Sequence, residues 1–528
     1  MSRFDWLSEL LALLQDEHIL VQSGNALKLA PAHLLEIDME DWGRAGEAAA
    51  NYGCRWAGVW ADPRDDEIEV NACLEFQGDY LVLRTAVDIA TPLLPSHTPY
   101  YMGADRLERH VQDMAGLAFG DHPDARRWTR HQAWSEERFP LRNDFSVAEK
   151  PEETTPADTE YPFAKVQGAG VNEIPVGPVH AGTIEPGHFR FQAVGEDILQ
   201  LEERLGYAHK GIEKIAVGRD PAELARLAGR VSGDSTVAHT WAACQAMERS
   251  VRLNVPARAL MLRAIMIERE RVANHIGDVG AICNDVGFAF MMAQCGRLRE
   301  DWQRRSQNVF GHRLMMDFVV PGGVSIDIDN IQIAKLKANH AEFRKELNEL
   351  YDIIDDNPSL EDRLLTTGRL TQETARKFGV LGYVGKASGL DFDVRHSNPY
   401  PPYNKVEVKV PVYEDGDVAA RIRVRVDEIY NALDLMDQWL SSIPEGPLCA
   451  DWPTSVNGNE GIGFIEGWRG EIITYVRFDN NGRIARFFPR DPSWFNWPAL
   501  EKILLGNIVP DFPVCNKSVN GSYSGQDL

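Results

Sequence analysis

The sequence predicts an α+β protein: a small α+β module at the N-terminus, then a longer, mainly helical module with strands at its margins. Three observations carry this. Apolar and polar residues alternate with a period of two in Glu67–Ala72 and again in Tyr80–Thr85, the pattern of half-buried strands. Helical spacing dominates the second half, in stretches of about 222–250, 256–280, 288–310, 328–356 and 426–441. Between the two regimes, Ala148–Pro162 sets Glu149, Glu152, Glu153, Asp158 and Glu160 among Pro151, Pro156 and Pro162. Such a run cannot bury a core and reads as an acidic linker. The expected division is residues 1–147, a linker over 148–162, and residues 163–528.

The small module opens with Phe4–Leu14, where apolar spacing interrupted by acids predicts an amphipathic helix. The two strands follow, and Asp105–Met114 returns to helical spacing. The large module starts with a short strand at Phe189–Val194. Pro256 separates two helices, because proline disfavours helical backbone in the residue before it. Pro321-Gly322-Gly323 interrupts another helical region, and Lys405–Val410 and Glu471–Val476 alternate as strands do. No internal repeat or low-complexity tract is present.

A chain of 528 residues is long for one core. Its 79 acidic and 55 basic residues give a net charge of −24, which argues against nucleic acid or anionic lipid as the main partner. The seven cysteines are scattered, odd in number and never spaced C-x-x-C, which suits reduced thiols in a cytosolic protein. No apolar run reaches bilayer length and no signal segment opens the chain, so a cytoplasmic location is expected. Gly168-Ala169-Gly170 lacks the third glycine and following helix of a dinucleotide loop.

The residues that carry chemistry recur in a fixed order. Gly177-Pro178-Val179-His180 leads to Glu185-Pro186-Gly187-His188, and Tyr207-Ala208-His209-Lys210-Gly211-Ile212-Glu213-Lys214 follows. Next come Arg230-Val231-Ser232-Gly233-Asp234-Ser235-Thr236-Val237-Ala238-His239 and Glu268-Arg269-Glu270-Arg271-Val272-Ala273-Asn274-His275. Lys386–Arg395, Glu466–Glu471 and the tail Asn520-Gly521-Ser522-Tyr523-Ser524-Gly525 complete the series. Each piece alone has an ordinary structural explanation: a turn histidine, a helical ion pair, a buried Arg–Glu network, a packed tail tyrosine. Order and spacing shared over about 350 residues make the set specific.

That set resembles the large subunits of nickel–iron hydrogenases and the 49-kDa-type core subunit of respiratory complex I. The segment from Gly120 to Phe145 resembles the end of the 30-kDa-type complex I subunit. The chain as a whole is similar to a fusion of the two, nearest to formate-hydrogenlyase-like, energy-converting-hydrogenase-related subunits. The small module is then implied to be an assembly partner without a redox centre. Four cysteines hold the metals in hydrogenases; here those positions are Ser232, Ser235, Ser522 and Gly525, so no metal ligand set is expected. The quinone-binding tyrosine of complex I falls on Gly233.

The resemblance implies protonatable groups at Glu213, His209, Asp234 and His239, with Glu213 raised in pKa if it faces a dry cavity. His209 and Glu213 are expected on one helix face. His188, ahead of His180, is the candidate to hydrogen-bond a quinone headgroup. Arg230, Glu268, Arg271 and His275 are implied to lie near the iron–sulfur cluster of a neighbouring small subunit. No tightly bound cofactor is expected, and quinone is the candidate carrier. The implied partners are that iron–sulfur subunit and membrane-embedded proton-pumping subunits. The chain is implied to be a peripheral subunit on the cytoplasmic side of the inner membrane, taking part in electron transfer coupled to ion movement. A non-catalytic structural or coupling subunit is the alternative, and an active hydrogenase the third reading.

Overall fold

The computed structural model describes residues 5–25, 28–131, 134–135, 137–146, 161–180, 184–454 and 456–528. Most of the expected acidic linker lies outside these. The small module runs α1 (Asp5–Asp16), β1 (Val21–Ser23), β2 (His33–Ile37), α2 (Trp42–Tyr52), β3 (Arg55–Pro63), β4 (Glu67–Phe76), β5 (Asp79–Asp88) and α3 (Asp105–Ala115). Its sheet has the order β1-β2-β5-β4-β3, with β2 parallel to β5 and the other pairs antiparallel. The alternating runs read from the sequence are the central pair β4 and β5. They are joined by Gln77-Gly78, both at positive φ, the two-residue turn whose twist matches a hairpin.

The large module begins with an antiparallel sheet of β6 (Val171–Val176), β7 (His188–Val194) and β8 (Asp197–Arg204). Helices follow: α4 (Ile212–Ile215), α5 (Pro221–Ala228), α6 (Thr236–Ser250), α7 (Ala257–Asp285), α8 (Ala289–Phe310), α9 (Asn330–Asp355) and α10 (Val418–Ser442). A second antiparallel sheet of β9 (Glu460–Gly467), β10 (Gly470–Phe478) and β11 (Ile484–Arg490) precedes α11 (Ser493–Ile503), α12 (Phe512–Val519) and α13 (Tyr523–Asp527).

Three expectations need correction. The helix read over 222–250 is two helices, since the chain leaves helix between Ala228 and Thr236. The last long helix starts at Val418, not near 426, because Asp417 caps it by accepting the Ala420 N–H at 2.8 Å. Lys405–Val410 is not a strand, although it alternates. It lies along α10, where Asn431 donates to the Lys409 carbonyl at 3.0 Å, instead of pairing in a sheet. Six cysteines are buried, Cys449 is exposed, and all seven are free.

Two close approaches position the site. Gly461 and Gly463 on β9 let the backbone of α6 lie directly on the strand. A Cβ at either would meet the carbonyl oxygen of Ala246 or Ala242 at 2.2 and 2.3 Å. The small-module sheet also packs on β9–β11. Trp60 contacts Tyr475 and Phe488 with ring centroids 5.1 and 5.6 Å apart, and Arg84 binds Glu460 at 2.7 and 3.0 Å. Arg55 and Tyr80 reach Glu471 at 2.8 and 2.5 Å, and Arg477 binds Asp62 at 2.5 and 2.8 Å. Apolar residues of both modules belong to one continuous core.

At this junction Glu203 on β8 is fully buried, and neither of its carboxyl oxygens has a partner. Burial and the neighbouring Glu501 push its pKa far up, so it stays protonated, while Arg106 on α3 pairs with Glu501 at 2.8 Å. Arg106→Met is expected to cost about 3 kcal/mol by leaving Glu501 unpaired. Glu203→Gln should stay within about 1 kcal/mol of wild type, because the residue is already neutral. Denaturant unfolding of both variants checks the contrast; equal losses would contradict it.

Candidate functional site

The break between α5 and α6 is where the site forms. Ser232 takes an extended backbone (φ −147°, ψ 128°), and one 3-10 turn, Gly233–Ser235, leads into α6. The tail brings Ser522 to the same place as N-cap of α13, its Oγ accepting the Gly525 N–H at 2.9 Å. Ser522 Oγ donates to Ser232 Oγ at 3.1 Å. Ser232 and Ser235 donate to Asp234 Oδ1 at 2.6 and 3.2 Å. Arg469, in the β9–β10 turn, closes the cluster with bonds of 2.8 and 2.7 Å to the two Asp234 oxygens and 2.7 Å to the Asn520 carbonyl. Burial alone would raise the Asp234 carboxyl, but Arg469 and the two hydroxyls overcome it and hold the group well below the usual carboxylate range.

At Gly525 the space for a side chain is itself taken. A Cβ there would come within 2.6 Å of Asp491 Cγ, 2.7 Å of its Oδ2 and 2.9 Å of Ser522 Oγ. The Asp491 carboxylate fills the space of the fourth side chain, and His239 Nε2 donates to it at 2.9 Å. Burial would raise Asp491, yet the His239 contact brings it below its ordinary range. Gly525→Ala is therefore expected to destabilise the chain by about 1–3 kcal/mol, read as a lower denaturant midpoint. An unchanged midpoint would show that the carboxylate moves aside freely.

The four positions read from the sequence thus converge, but as a closed hydrogen-bonded cluster. They do not suit a nickel–iron centre. The hydroxyls are hard, neutral donors engaged with one another, Gly525 supplies none, and a carboxylate bound to His239 occupies its place. Among the described residues no group of three or more His, Cys, Asp and Glu side chains is arranged to hold a metal.

Beside the cluster, Glu270 on α7 accepts the Val237 and Ala238 N–H groups at 2.7 and 3.2 Å, at the start of α6. Burial, aided by the Asp234 charge and opposed by these bonds, pushes its pKa up to about 8. Asn274 links the two acids, donating to the Asp234 carbonyl at 2.7 Å and the Glu270 carbonyl at 2.9 Å. The cavity lined by Gly233, Asp234, Glu270 and Asn274 has a volume of about 10 Å³, space for a single water. No sequence pattern singles out Glu270, although it lies two residues from Glu268.

Glu213 and His209 do not share a helix face. Gly211, at φ +70°, starts α4 after His209, whose Nδ1 donates to the Asp527 carbonyl at 2.5 Å. Burial lowers the His209 pKa to about 4. Glu213 is not raised as expected. Burial pushes it up, but Arg486 at 2.5 Å and His110 at 2.7 Å pull it down to about 2. His110 comes from α3 of the small module, a partner no local pattern could disclose.

The histidine loop is also self-engaged. His188 Nδ1 donates to the Gly177 carbonyl at 3.2 Å and its Nε2 accepts from Arg190 Nε at 3.1 Å, so neither nitrogen is free to donate to a quinone. His180 Nε2 donates to the Gly187 carbonyl at 2.8 Å. Tyr523 packs against Trp497, centroids 4.8 Å apart, with its ring over Gly187.

Glu268, Arg271 and His275 belong to a fully buried network on α7. Arg271 binds Glu268 at 2.9 Å and Glu428 at 3.3 Å, and His275 donates to Glu428 at 2.7 Å. Arg395 and Tyr403 bind Glu268 at 3.0 and 2.6 Å, and Lys386 joins Asp393 and Glu428, both at 2.6 Å. These side chains present no surface to a partner. Arg230 does: it is partly exposed and holds Asp317 at 2.8 and 2.7 Å.

Comparison with known proteins agrees with this architecture. The family model of the respiratory-chain NADH dehydrogenase 30 Kd subunit matches residues 36–151, that of the 49 Kd subunit residues 285–458, and that of nickel-dependent hydrogenases residues 210–277. Formate hydrogenlyase subunit 5 of Escherichia coli is 34% identical over 85% of this chain and 79% of its own length. The C/D fusion protein of the NADH-quinone oxidoreductase of Bacteroides fragilis is 30% identical over 89% and 90%. A chain of the archaeal membrane-bound sulfane sulfur reductase superposes with a TM-score of 0.65 at 24% identity, over 68% of this chain and 99% of that one, and so shares the fold. With a 30 Kd-type module, a 49 Kd-type module and the hydrogenase frame in one polypeptide, the chain belongs to the family of fused complex I-type and nickel-hydrogenase-type large subunits.

Proposed function

We propose that this chain is the core peripheral subunit of a membrane-bound redox complex, working without a nickel–iron centre and handling protons at the former metal position. One observation carries the reading: the four ligand positions have closed into a polar cluster in which Asp234 is paired with Arg469 and Glu270 lies buried beside it. Arg469 keeps Asp234 ionised, while Glu270 holds a proton near neutral pH. A change of charge at a nearby redox centre would shift the Glu270 proton equilibrium, which is how electron transfer becomes coupled to proton movement.

The relatives support the wider setting, since their names place them in formate hydrogenlyase and NADH-quinone oxidoreductase. Among the described residues no helix is long and apolar enough to cross a membrane. Attachment to the cytoplasmic face of the inner membrane would then run through partners: a small iron–sulfur subunit that delivers electrons, and membrane subunits that move ions. Arg230, partly exposed beside the cluster, suits contact with the former.

Quinone reduction within the cluster has less support. The adjoining cavity has room for no more than one water, Gly233 supplies no hydroxyl, and both His188 nitrogens are engaged. The carrier is better placed outside the old metal frame.

Asp234→Asn in the intact complex tests the reading. The Arg469 pair loses its charge and Glu270 its charged neighbour, so proton movement per electron should fall while the cluster stays folded. Unchanged proton movement with normal electron transfer would point to a scaffold role. Competitive displacement of a quinone analogue from the cluster would restore the quinone reading.

A further inference from the structure

The buried network around α7 contains more acids than cations. Ion pairs join Glu268, Asp393, Glu428 and Glu466 to Arg271, Lys386 and Arg395, and each of these residues is 1% exposed or less. His275 does not make up the difference. Its Nε2 donates to Glu428, and its buried Nδ1 meets no acceptor among the described residues, so a second ring proton would be unsatisfied in a dry interior. Four carboxylates against three permanent cations leave one negative charge over. Such a charge is far costlier to bury than a proton on one of the acids.

The contacts single out the acid that carries the proton. Glu268 binds Arg271, Arg395 and the Tyr403 hydroxyl, and Glu428 binds Lys386, Arg271 and His275. Asp393 binds Lys386 and takes two bonds from Arg395, at 3.0 and 2.7 Å. Glu466, on β9, has the poorest set. Its Oε2 accepts the Val394 N–H at 3.1 Å, and Lys386, the cation paired with it, stands 3.8 Å from Oε1, past hydrogen-bond reach. Asp393, Arg395 and Arg271 also face it, as does Tyr400, whose hydroxyl accepts the Glu466 N–H at 3.3 Å. Glu268 on α7 and Glu428 on α10 complete the ring of charges through Arg271 and Lys386. Burial and the Asp393 charge push the Glu466 pKa up to about 8, against the pull of Lys386, Arg395 and Arg271.

We propose that Glu466 is a second proton-holding site: its carboxyl carries the proton that balances the network, and releases it when the charge beside the network becomes more positive. The O–H bond breaks, the carboxylate keeps the electron pair and the proton passes to water, so no oxidant is involved. One hairpin links this site to the serine cluster. Arg271 donates to the Glu466 carbonyl at 2.8 Å, and Trp468 and Arg469 of the same turn bond Asp234 at 3.0 and 2.8 Å. The inference goes beyond the serine-cluster reading and does not rest on it.

Infrared difference spectroscopy of the full-length chain tests it through the C=O stretch of protonated carboxyl groups. Glu466→Gln should remove one such band at neutral pH that Glu270→Gln leaves in place. In wild type that band should bleach as pH rises through about 8. Asp393→Asn takes away one acid, the equivalent of a positive charge arriving. Three acids then face three cations, so the Glu466 band should bleach about two pH units lower and be largely gone at neutral pH. A spectrum untouched by Glu466→Gln would show that Glu466 carries no proton. A band unmoved by Asp393→Asn would show a fixed buried acid that answers to no charge. Either result overturns the proposal, and neither touches the serine cluster, whose test reads proton movement through Asp234 and Glu270.

Discussion

Glu428→Ala is expected to destabilise the chain by about 3–5 kcal/mol or more, the largest effect of any single substitution considered. Glu428 is the hub of the buried network, meeting Lys386 at 2.6 Å, His275 at 2.7 Å and Arg271 at 3.3 Å with almost no exposure. Its carboxyl is held well below the ordinary range: burial pushes it up, and Lys386, His275 and Arg271 more than reverse this. Removing it takes a carboxylate from Lys386 and Arg271 in a dry interior, leaving Lys386 to Asp393 and Arg271 to Glu268, and it leaves the His275 Nε2–H without its acceptor. Lys386→Met should cost less, since Asp393 keeps Arg395 at 2.7 Å and Glu428 keeps Arg271 and His275. Chemical denaturation measures both, and a loss from Lys386→Met equal to that from Glu428→Ala would contradict the hub assignment.

Glu270→Gln is expected to have the largest functional effect, lowering coupled proton movement by about 100-fold, on the scale of one removed acid–base group. It also has a pH signature. The folded-state pKa of Glu270, about 8, lies above its ordinary value of 4.5, so folding favours the protonated form. Its contribution to stability is fully present below pH 4.5 and is lost as pH rises through 8. Glutamine is permanently neutral. Relative to wild type the variant's denaturant midpoint should rise with pH, starting below it at low pH because the amide NH2 cannot accept the second of the Val237 and Ala238 N–H groups. A midpoint difference that does not grow with pH would show that Glu270 ionises as easily folded as unfolded.

The fold was legible where local pattern decides structure. Alternation in Glu67–Ala72 marked β4, and Pro256 marked the start of α7, because both effects act within a few residues. Lys405–Val410 alternates equally well, yet its backbone meets side chains of the large module and no strand. The helix read through 222–250 breaks for a tertiary reason, since Ser232 must extend to meet Ser522, 290 residues away.

The site divides in the same way. The convergence of Ser232, Ser235, Ser522 and Gly525 was readable because motif order carries it. The partners that set its chemistry were not. Asp491 fills the place of a missing side chain, and His110 reaches Glu213 from the other module. Glu213 shows the consequence: burial alone implies a raised pKa, but Arg486 and His110 reverse the sign. Arg469 was visible in its motif, though only the structure shows it closing on Asp234.

On the proposed reading, Ser232, Ser235, Ser522 and Gly525 form a closed proton-handling cluster that takes no nickel. Elemental analysis of the purified intact complex, counting nickel and iron against this chain, tests it most directly. Iron from a neighbouring cluster and nickel at background are expected, unchanged when the cells are grown with excess nickel. Nickel approaching one atom per chain would contradict it, and would mean that Ser232, Ser235, Ser522 and Asp491 rearrange to hold a metal.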